Sequence, residues 1–83
     1  MTFSAEIKVM PLKELLDPQG KAVMGGLSNL GLKDITDVRI GKHIVLKLNA
    51  ENKEAAMVMA NNAASKLLAN QVMEEFSVQI SEG

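Results

Sequence analysis

Few side chains in this sequence could perform catalytic chemistry. His43 is the only histidine and there is no cysteine, so a thiolate nucleophile and a cysteine-based metal site are both excluded. Nucleophilic catalysis needs a base beside a nucleophile and a third group that orients it, and we expect the lone His43 to face solvent or an interface instead. The carboxylates lack the spacing of a metal site, including those of Asp34, Asp37, Glu51 and Glu54. We therefore predict no catalytic residue, no metal site and no bound cofactor in this chain.

Phosphate or nucleic-acid binding also lacks its usual residues. The Gly41-Lys42 pair is not part of a complete phosphate-binding loop. Two phenylalanines, Phe3 and Phe76, cannot form a stacking platform for RNA. Nine basic and ten acidic residues are interspersed and give a net charge of −1, so no footprint for nucleic acid or an anionic membrane is present. Arg39 and Lys42 are accordingly interpreted as a solvated or partner-facing pair.

The composition indicates one small folded domain with apolar surface to spare. The 83 residues are 47% apolar, and we predict a single domain over residues 1–83. The mean hydropathy of +0.08 is high for so small a body, which suggests a surface meant for a partner. No apolar run reaches the roughly 18 residues of a membrane span and no signal peptide is recognisable, so we expect a cytoplasmic protein.

The elements that would position these residues begin with a strand and a capped helix. Apolar and polar residues alternate from Phe3 to Val9, and Pro11, which has no backbone donor, marks the end of the strand or an edge. Asp17 followed by Pro18 is typical of a helix N-terminus. An apolar stripe at helical spacing follows, and Gly31 is expected to end the helix. The stripe consists of Val23, Leu27 and Leu30.

Two structures are compatible with the alternation over residues 36–48. A hairpin with a three-residue loop, residues 41–43, would keep one face apolar. Its cross-strand pairs would be Ile40 with Ile44, Val38 with Leu46, and Asp37 with Lys47. A continuous strand bent at Gly41 keeps the same apolar face, and we favour it. Such a strand would be about 40 Å long, whereas the protomer should have a radius of gyration of about 12 Å. Its far half would lie outside the protomer, and we predict that it is shared in a dimer.

A second helix and a last strand complete the predicted fold. Asn49 or Asn52 can cap this helix. Its apolar stripe is rich in alanine and consists of Ala56, Met57, Ala60, Ala63, Ala64, Leu67 and Leu68. The last strand alternates around Phe76, Val78 and Ile80. We predict an α+β fold of order β-α-β(β)-α-β, in which two helices pack on one face of a mainly antiparallel sheet.

Four stretches of the sequence occur together in one known family. They are Asp17-Pro18-Gln19-Gly20-Lys21-Ala22-Val23, Leu30-Gly31, Asp37-Val38-Arg39-Ile40-Gly41-Lys42 and Lys66-Leu67-Leu68-Ala69-Asn70. In this order, and followed by Val72-Met73-Glu74-Glu75, they resemble the PurS family. PurS is the small subunit of the multi-subunit phosphoribosylformylglycinamidine synthase (FGAM synthase) of purine biosynthesis.

The resemblance implies a noncatalytic subunit that forms a homodimer or tetramer. Such a subunit joins a glutaminase subunit to a large ATP-using synthetase subunit and helps ammonia pass between their sites. Glutamine, formylglycinamide ribonucleotide, ATP and Mg²⁺ would bind those partners. We expect the surface for the partners at Asp17, Pro18, Gln19, Gly20, Arg39, Gly41 and Lys42. The alternative is a small-molecule-sensing regulatory domain of similar layout, and an independent enzyme is more distant still.

Overall fold

The computed structural model of the protein describes residues 1–70 and 72–83. Within these residues, three strands form one antiparallel sheet of order β2-β1-β3. The elements are β1 (Thr2–Pro11), α1 (Pro18–Asn29), β2 (Lys42–Asn49), α2 (Lys53–Ala63) and β3 (Glu74–Glu82), and a π-helical turn, Ala64–Leu68, continues α2. The predicted α+β class and the order β-α-β-α-β are confirmed.

The core lies between one face of the sheet and α2. Alternate side chains of β1 point to this face and are almost completely buried, namely Phe3, Ala5, Ile7 and Val9. The helix contributes alanines one turn apart, Ala56, Ala60 and Ala64. Small side chains let the helix backbone lie close to the strands. Each large apolar side chain of β1 contributes about 1.5–3 kcal/mol by its burial, so β1 is the main source of hydrophobic stabilisation.

The opposite face of the sheet is polar and uncovered. It carries the side chains between the core positions, among them Glu6, Lys8, His43 and Gln79. An antiparallel sheet commonly has one buried and one solvated face. His43 is exposed here, and its Nε2 atom lies 3.8 Å from Glu6 Oε1.

Pairing between β1 and β2 ends at the pair Val9 and Lys42. Two residues farther along β1, Pro11 has no N–H to donate, so the ladder cannot continue on that side. Gly41 lies tightly against β1, because a Cβ atom there would overlap the Val9 carbonyl oxygen and the Met10 sulfur. The chain therefore leaves the sheet at Gly41.

This end of the ladder decides between the two structures proposed for residues 36–48. Lys42 and His43 pair with β1, so they cannot form the loop of a hairpin, and that alternative is wrong. The chain instead runs through Gly41 without folding back. Residues 35–41 form no strand within the described part of the protomer. Of the strand predicted over residues 36–48, only the half from Lys42 onward is regular and paired.

The segment between β1 and β2, residues 12–41, is called the arm here. It leaves the sheet after Pro11 and returns at Gly41, at the same end of the sheet. Gly20 is the only buried residue of α1, and Leu30 at its C-terminal end is 77% exposed. The prediction that both helices pack on one face of the sheet is therefore wrong for α1. The arm makes the protomer elongated, with extents of 51 × 26 × 14 Å and a radius of gyration of 16.3 Å.

The end of α2 also differs from the predicted pattern. The stripe places Leu67 on the buried side, but it is 85% exposed. Ala69 N donates to Ala64 O, which is the i to i+5 bond of a π-helical turn. The wider turn changes the phase of the stripe, so that Leu68 packs against the core and Leu67 does not.

Two glycine substitutions test the close approach at the end of the sheet. We expect Gly41→Ala to lower the free energy of unfolding by about 1–3 kcal/mol, because the Val9 carbonyl belongs to the backbone and cannot move aside cheaply. Gly25→Ala is the matched control. Nothing lies within 4 Å of the Cβ position of Gly25, and in a helix the change should raise stability by about 0.5–1 kcal/mol. Urea unfolding of both variants measures the difference, and effects of equal sign would contradict it.

Candidate functional site

Asp17 joins the two ends of the arm. Its Oδ1 atom accepts a hydrogen bond of 3.0 Å from the backbone N–H of Gly20 and caps α1. Its Oδ2 atom accepts one of 2.8 Å from the backbone N–H of Ile40, which is 23 residues farther along the chain. The carboxylate thus ties the start of α1 to the segment that leads back to the sheet.

These bonds favour the charged form of the Asp17 side chain. The N–H of Gly20 makes the largest contribution and that of Ile40 the next, and together they hold the pKa of Asp17 below its ordinary value of 3.8. The N–H of Gln19 and the positive charge of Arg39 act in the same direction, whereas partial desolvation opposes them.

Gly20 permits a second contact between the same two segments. It is buried, and a Cβ atom on it would overlap the carbonyl oxygen of Val38 and lie 2.8 Å from Asp17 Oδ2. Any other residue would therefore push α1 away from residues 38–40. This backbone contact explains why glycine follows the cap in the Asp17 to Gly20 stretch.

Arg39 ties the arm back to the end of β1. Its guanidinium donates to the carbonyl oxygen of Pro11. Between these segments lies a cavity of about 370 Å³, which is open to solvent. It is lined by residues 11–17 on one side and by Lys21, Asp37, Val38 and Arg39 on the other.

The predicted partner-surface residues fall into two groups. Asp17, Gly20 and Arg39 lie together at the base of the arm, while Pro18 and Gln19 are exposed on the first turn of α1. Gly41 and Lys42 lie at the end of the sheet. Lys42 Nζ is 3.7 Å from Glu74 Oε2.

Sequence reasoning missed the neighbours that these residues contact. Pro11, Val38 and Ile40 take part through backbone atoms, which leave no trace in residue type. From the sequence, Pro11 predicts only the end of a strand or an edge. Glu74, at the start of β3, meets Lys42 across β1 because of the sheet order, which the sequence pattern does not state.

The arm also carries apolar surface that no other described residue of the protomer covers. Exposed side chains occur on α1 and just after it, and they are Val23, Leu30, Leu32 and Ile35. A groove of about 430 Å³ runs along α1 beside Met24, Leu32 and Ile35. Leu16 and Met73 add exposed apolar surface at the end of the sheet, where Leu12 N donates to Met73 O. Concentrations of this kind are typical of surfaces that bind another protein.

Catalytic and membrane features can be stated for the described part of the chain. Within residues 1–70 and 72–83, no group of three or more His, Cys, Asp or Glu side chains is arranged to hold a metal ion. No helix in the same residues is both long enough and apolar enough to cross a membrane.

The low pKa of Asp17 predicts acid sensitivity. Because its pKa is lower in the folded state, its contribution to stability is complete well above pH 3.8. It is lost below that value, as the pH falls through the lower pKa of the folded state. Asp17→Asn has no charge to lose. We expect the urea unfolding midpoints of the two proteins to differ at pH 6 and to converge as the pH is lowered below 3.8. A constant difference between them across this range would contradict the prediction.

Comparison with known proteins gives close relatives over the whole chain. The PurS subunit of phosphoribosylformylglycinamidine synthase from Mycobacterium leprae is 41% identical over 76 residues, which are 89% of this chain and 90% of that protein. The structure of Thermus thermophilus PurS covers 100% of this chain and 99% of its own, with 36% identity and a TM-score of 0.90. A chain in the structure of PurLQS from Thermotoga maritima matches with a TM-score of 0.89 and 32% identity, over 98% of this chain and 99% of that one.

The family model agrees with these relatives. Residues 4–82 match PurS, described as phosphoribosylformylglycinamidine (FGAM) synthase. The resemblance predicted from the sequence is confirmed, and the alternative of a small-molecule-sensing domain is not favoured. The chain therefore belongs to the PurS family, the subunits of phosphoribosylformylglycinamidine synthase that act in purine biosynthesis.

Proposed function

We propose that this protein is a noncatalytic assembly subunit of phosphoribosylformylglycinamidine synthase in the cytoplasm. It binds a glutaminase subunit and a large synthetase subunit, holds them together and supports ammonia transfer between them. Glutamine, ATP and Mg²⁺ bind those partners and not this chain. The observation that supports this function most is the arm, because an apolar helix that does not pack on its own sheet needs another chain. The matching chain from Thermotoga maritima belongs to a structure of PurLQS.

The first partner in this proposal is a second copy of the chain. Residues 35–40, Ile-Thr-Asp-Val-Arg-Ile, have the β-branched composition of a strand but pair with no strand in the described part of the protomer. β2 has an open edge, since the sheet order is β2-β1-β3. In a dimer, each copy supplies residues 35–40 to the β2 edge of the other copy. This pairing satisfies unpaired backbone groups on both sides.

The register follows from the side chains. The pairs that a hairpin would have made within one chain form between the two copies, which is the usual relation in a domain swap. Ile40 then faces the partner's Ile44, and Val38 faces the partner's Leu46, so that the apolar face of the sheet continues. Asp37 faces the partner's Lys47, which places opposite charges together on the polar face.

The same dimer gives α1 a place to pack. α2 lies mainly over β3 and β1 and touches β2 least, so the β2 side chains on the core face remain half-exposed, namely Ile44, Leu46 and Leu48. An arm that pairs with the β2 edge carries its helix over this uncovered surface. The exposed stripe of α1 would then be buried by the partner's sheet.

The exchange of the two arms is reciprocal and therefore gives a closed dimer. Each copy gives one arm and receives one, so the interface has two-fold symmetry and does not propagate into fibres. β3 keeps its open edge in this arrangement, which leaves room for a tetramer built from two dimers.

A disulfide cross-link tests the register between the copies. The chain has no cysteine, so the background is zero. We expect Asp37→Cys mixed with Lys47→Cys to give a covalent dimer after oxidation, because directly opposed Cα atoms are about 4.5–5.5 Å apart, which suits a disulfide. Asp37→Cys mixed with Lys53→Cys is the control, since Lys53 starts α2, which packs on the core face of the sheet and not on the polar face.

The double variant Asp37→Cys, Lys47→Cys separates exchange from a hairpin. An exchanged dimer should give a covalent dimer on a non-reducing gel. A hairpin within one chain would give an oxidised monomer, and that result would overturn the exchange.

A pull-down tests the surface for the large synthetase subunit. Lys42 and Arg39 are the basic side chains of the predicted partner surface, and the Lys42 side chain is 57% exposed. We expect the variant Arg39→Ala, Lys42→Ala to retain the large subunit at least about tenfold less well than wild type, as is usual when two interface charges are removed. Lys53→Ala, Lys66→Ala removes the same charge from α2 and its π-helical turn, and should bind normally. Undiminished binding by the first variant would reject this location.

A further inference from the structure

We propose that the Asp17 carboxylate acts as a clasp that closes the arm at its base, so that α1 and residues 35–40 reach a second copy as one preformed unit. The inference rests on the exchange of arms proposed above and assigns a positioning role within it. Asp17 touches no partner in this role. It fixes how two partner-binding segments lie relative to each other.

The geometry exceeds what a helix cap requires. A cap needs one side-chain oxygen on an N–H of the first turn, and Oδ1 of Asp17 already supplies it to Gly20 at 3.0 Å. The bond from Ile40 N to Oδ2, at 2.8 Å, does nothing for the helix itself. It holds the returning segment against the helix start. The backbone contact of Gly20 with Val38 brings the same two segments together two residues earlier.

The arm has little else to fix its shape. α1 has only Gly20 buried and does not pack on the sheet, and the groove between α1 and residues 32–35 is unfilled. The Arg39 bond to Pro11 ties the arm to β1 but not to the helix. Loss of the Ile40 bond would leave α1 and residues 35–40 joined only by the close approach of Gly20 to Val38, so the two segments would move more freely relative to each other. Ordering them on binding would then weaken association, because preorganised segments lose less entropy.

The second helix provides an internal comparison. Asn52 caps α2 with one hydrogen bond of 2.8 Å from Ala55 N, and within residues 1–70 and 72–83 its side chain makes no bond to a distant segment. The chain therefore contains one cap of the ordinary kind and one that has been extended into a link. Comparing variants of these two caps therefore separates the effect of the second oxygen of Asp17 from the effect of helix capping.

Asp17→Asn is the informative variant. Asparagine is as good a helix cap as aspartate, so its oxygen can still accept from Gly20. Its second atom is an NH₂ group, which donates and cannot accept from Ile40 N. The variant keeps the cap and removes the clasp. Asp34→Asn makes the same change of charge on an exposed residue of the same arm, and Asn52→Ala removes an ordinary cap.

The dimer dissociation constant, measured by sedimentation at pH 7, is the main readout. We expect Asp17→Asn to raise it about tenfold or more, as for the loss of a hydrogen bond to a charged group, and Asp34→Asn and Asn52→Ala to change it less than about threefold. Amide hydrogen exchange should be faster at Ile40 in Asp17→Asn, while the amides of β1 keep their protection.

The outcomes separate this inference from the proposed dimer. A dimer in which Asp17→Asn binds as tightly as wild type would overturn the clasp and leave the exchange of arms in place. A wild-type chain that remains monomeric at high concentration would overturn the exchange. In that case the role of the clasp in association falls with it, whatever the exchange rate at Ile40.

Discussion

The structure depends on the point at which β1 and β2 stop pairing. Up to Val9 and Lys42 the ladder is regular and the core beneath it is closed by alanines of α2. Beyond that pair, Pro11 has no N–H with which to continue the ladder, and Gly41 lies in close contact with β1. The chain leaves the sheet at this point. Everything between these residues becomes the arm. The protomer is thus a small finished core with a helix and a potential strand outside it.

Much of this could be predicted from residue types because the signals are local. Alternation over Phe3–Val9 marks a strand whichever neighbour it has, and Asp17-Pro18 starts a helix because the cap needs only the residues that follow it. Gly31 has a φ of 90°, which glycine adopts at low cost, and it ends the helix as predicted. The alternation around Phe76, Val78 and Ile80 likewise lies within β3, which extends two residues farther at each end.

The errors lie where a local sequence pattern does not specify which distant residues an element contacts. The stripe of α1 states that the helix has an apolar face, but it does not say whether that face meets its own sheet or another chain. Leu67 illustrates a different limit, because a π-helical turn changes the phase of a stripe without any change in residue type. Only one of the two hydrogen bonds of Asp17 could be predicted. The cap on α1 needs only the residues that follow Asp17, whereas the bond from Ile40 depends on where that distant residue lies.

The choice between an open strand and a hairpin can be argued from what each structure retains. The side-chain pairs of residues 36–40 with β2 are the same whether they form within one chain or between two. A hairpin would need residues 41–43 for its loop, so it would give up the pairs of Lys42 and His43 with β1 and move Lys42 away from Glu74. In the proposed dimer, the open strand keeps these contacts and makes its remaining pairs with a second copy. Opening therefore gains contacts at the end of the sheet and costs only the entropy of association, which a closed and preordered arm reduces.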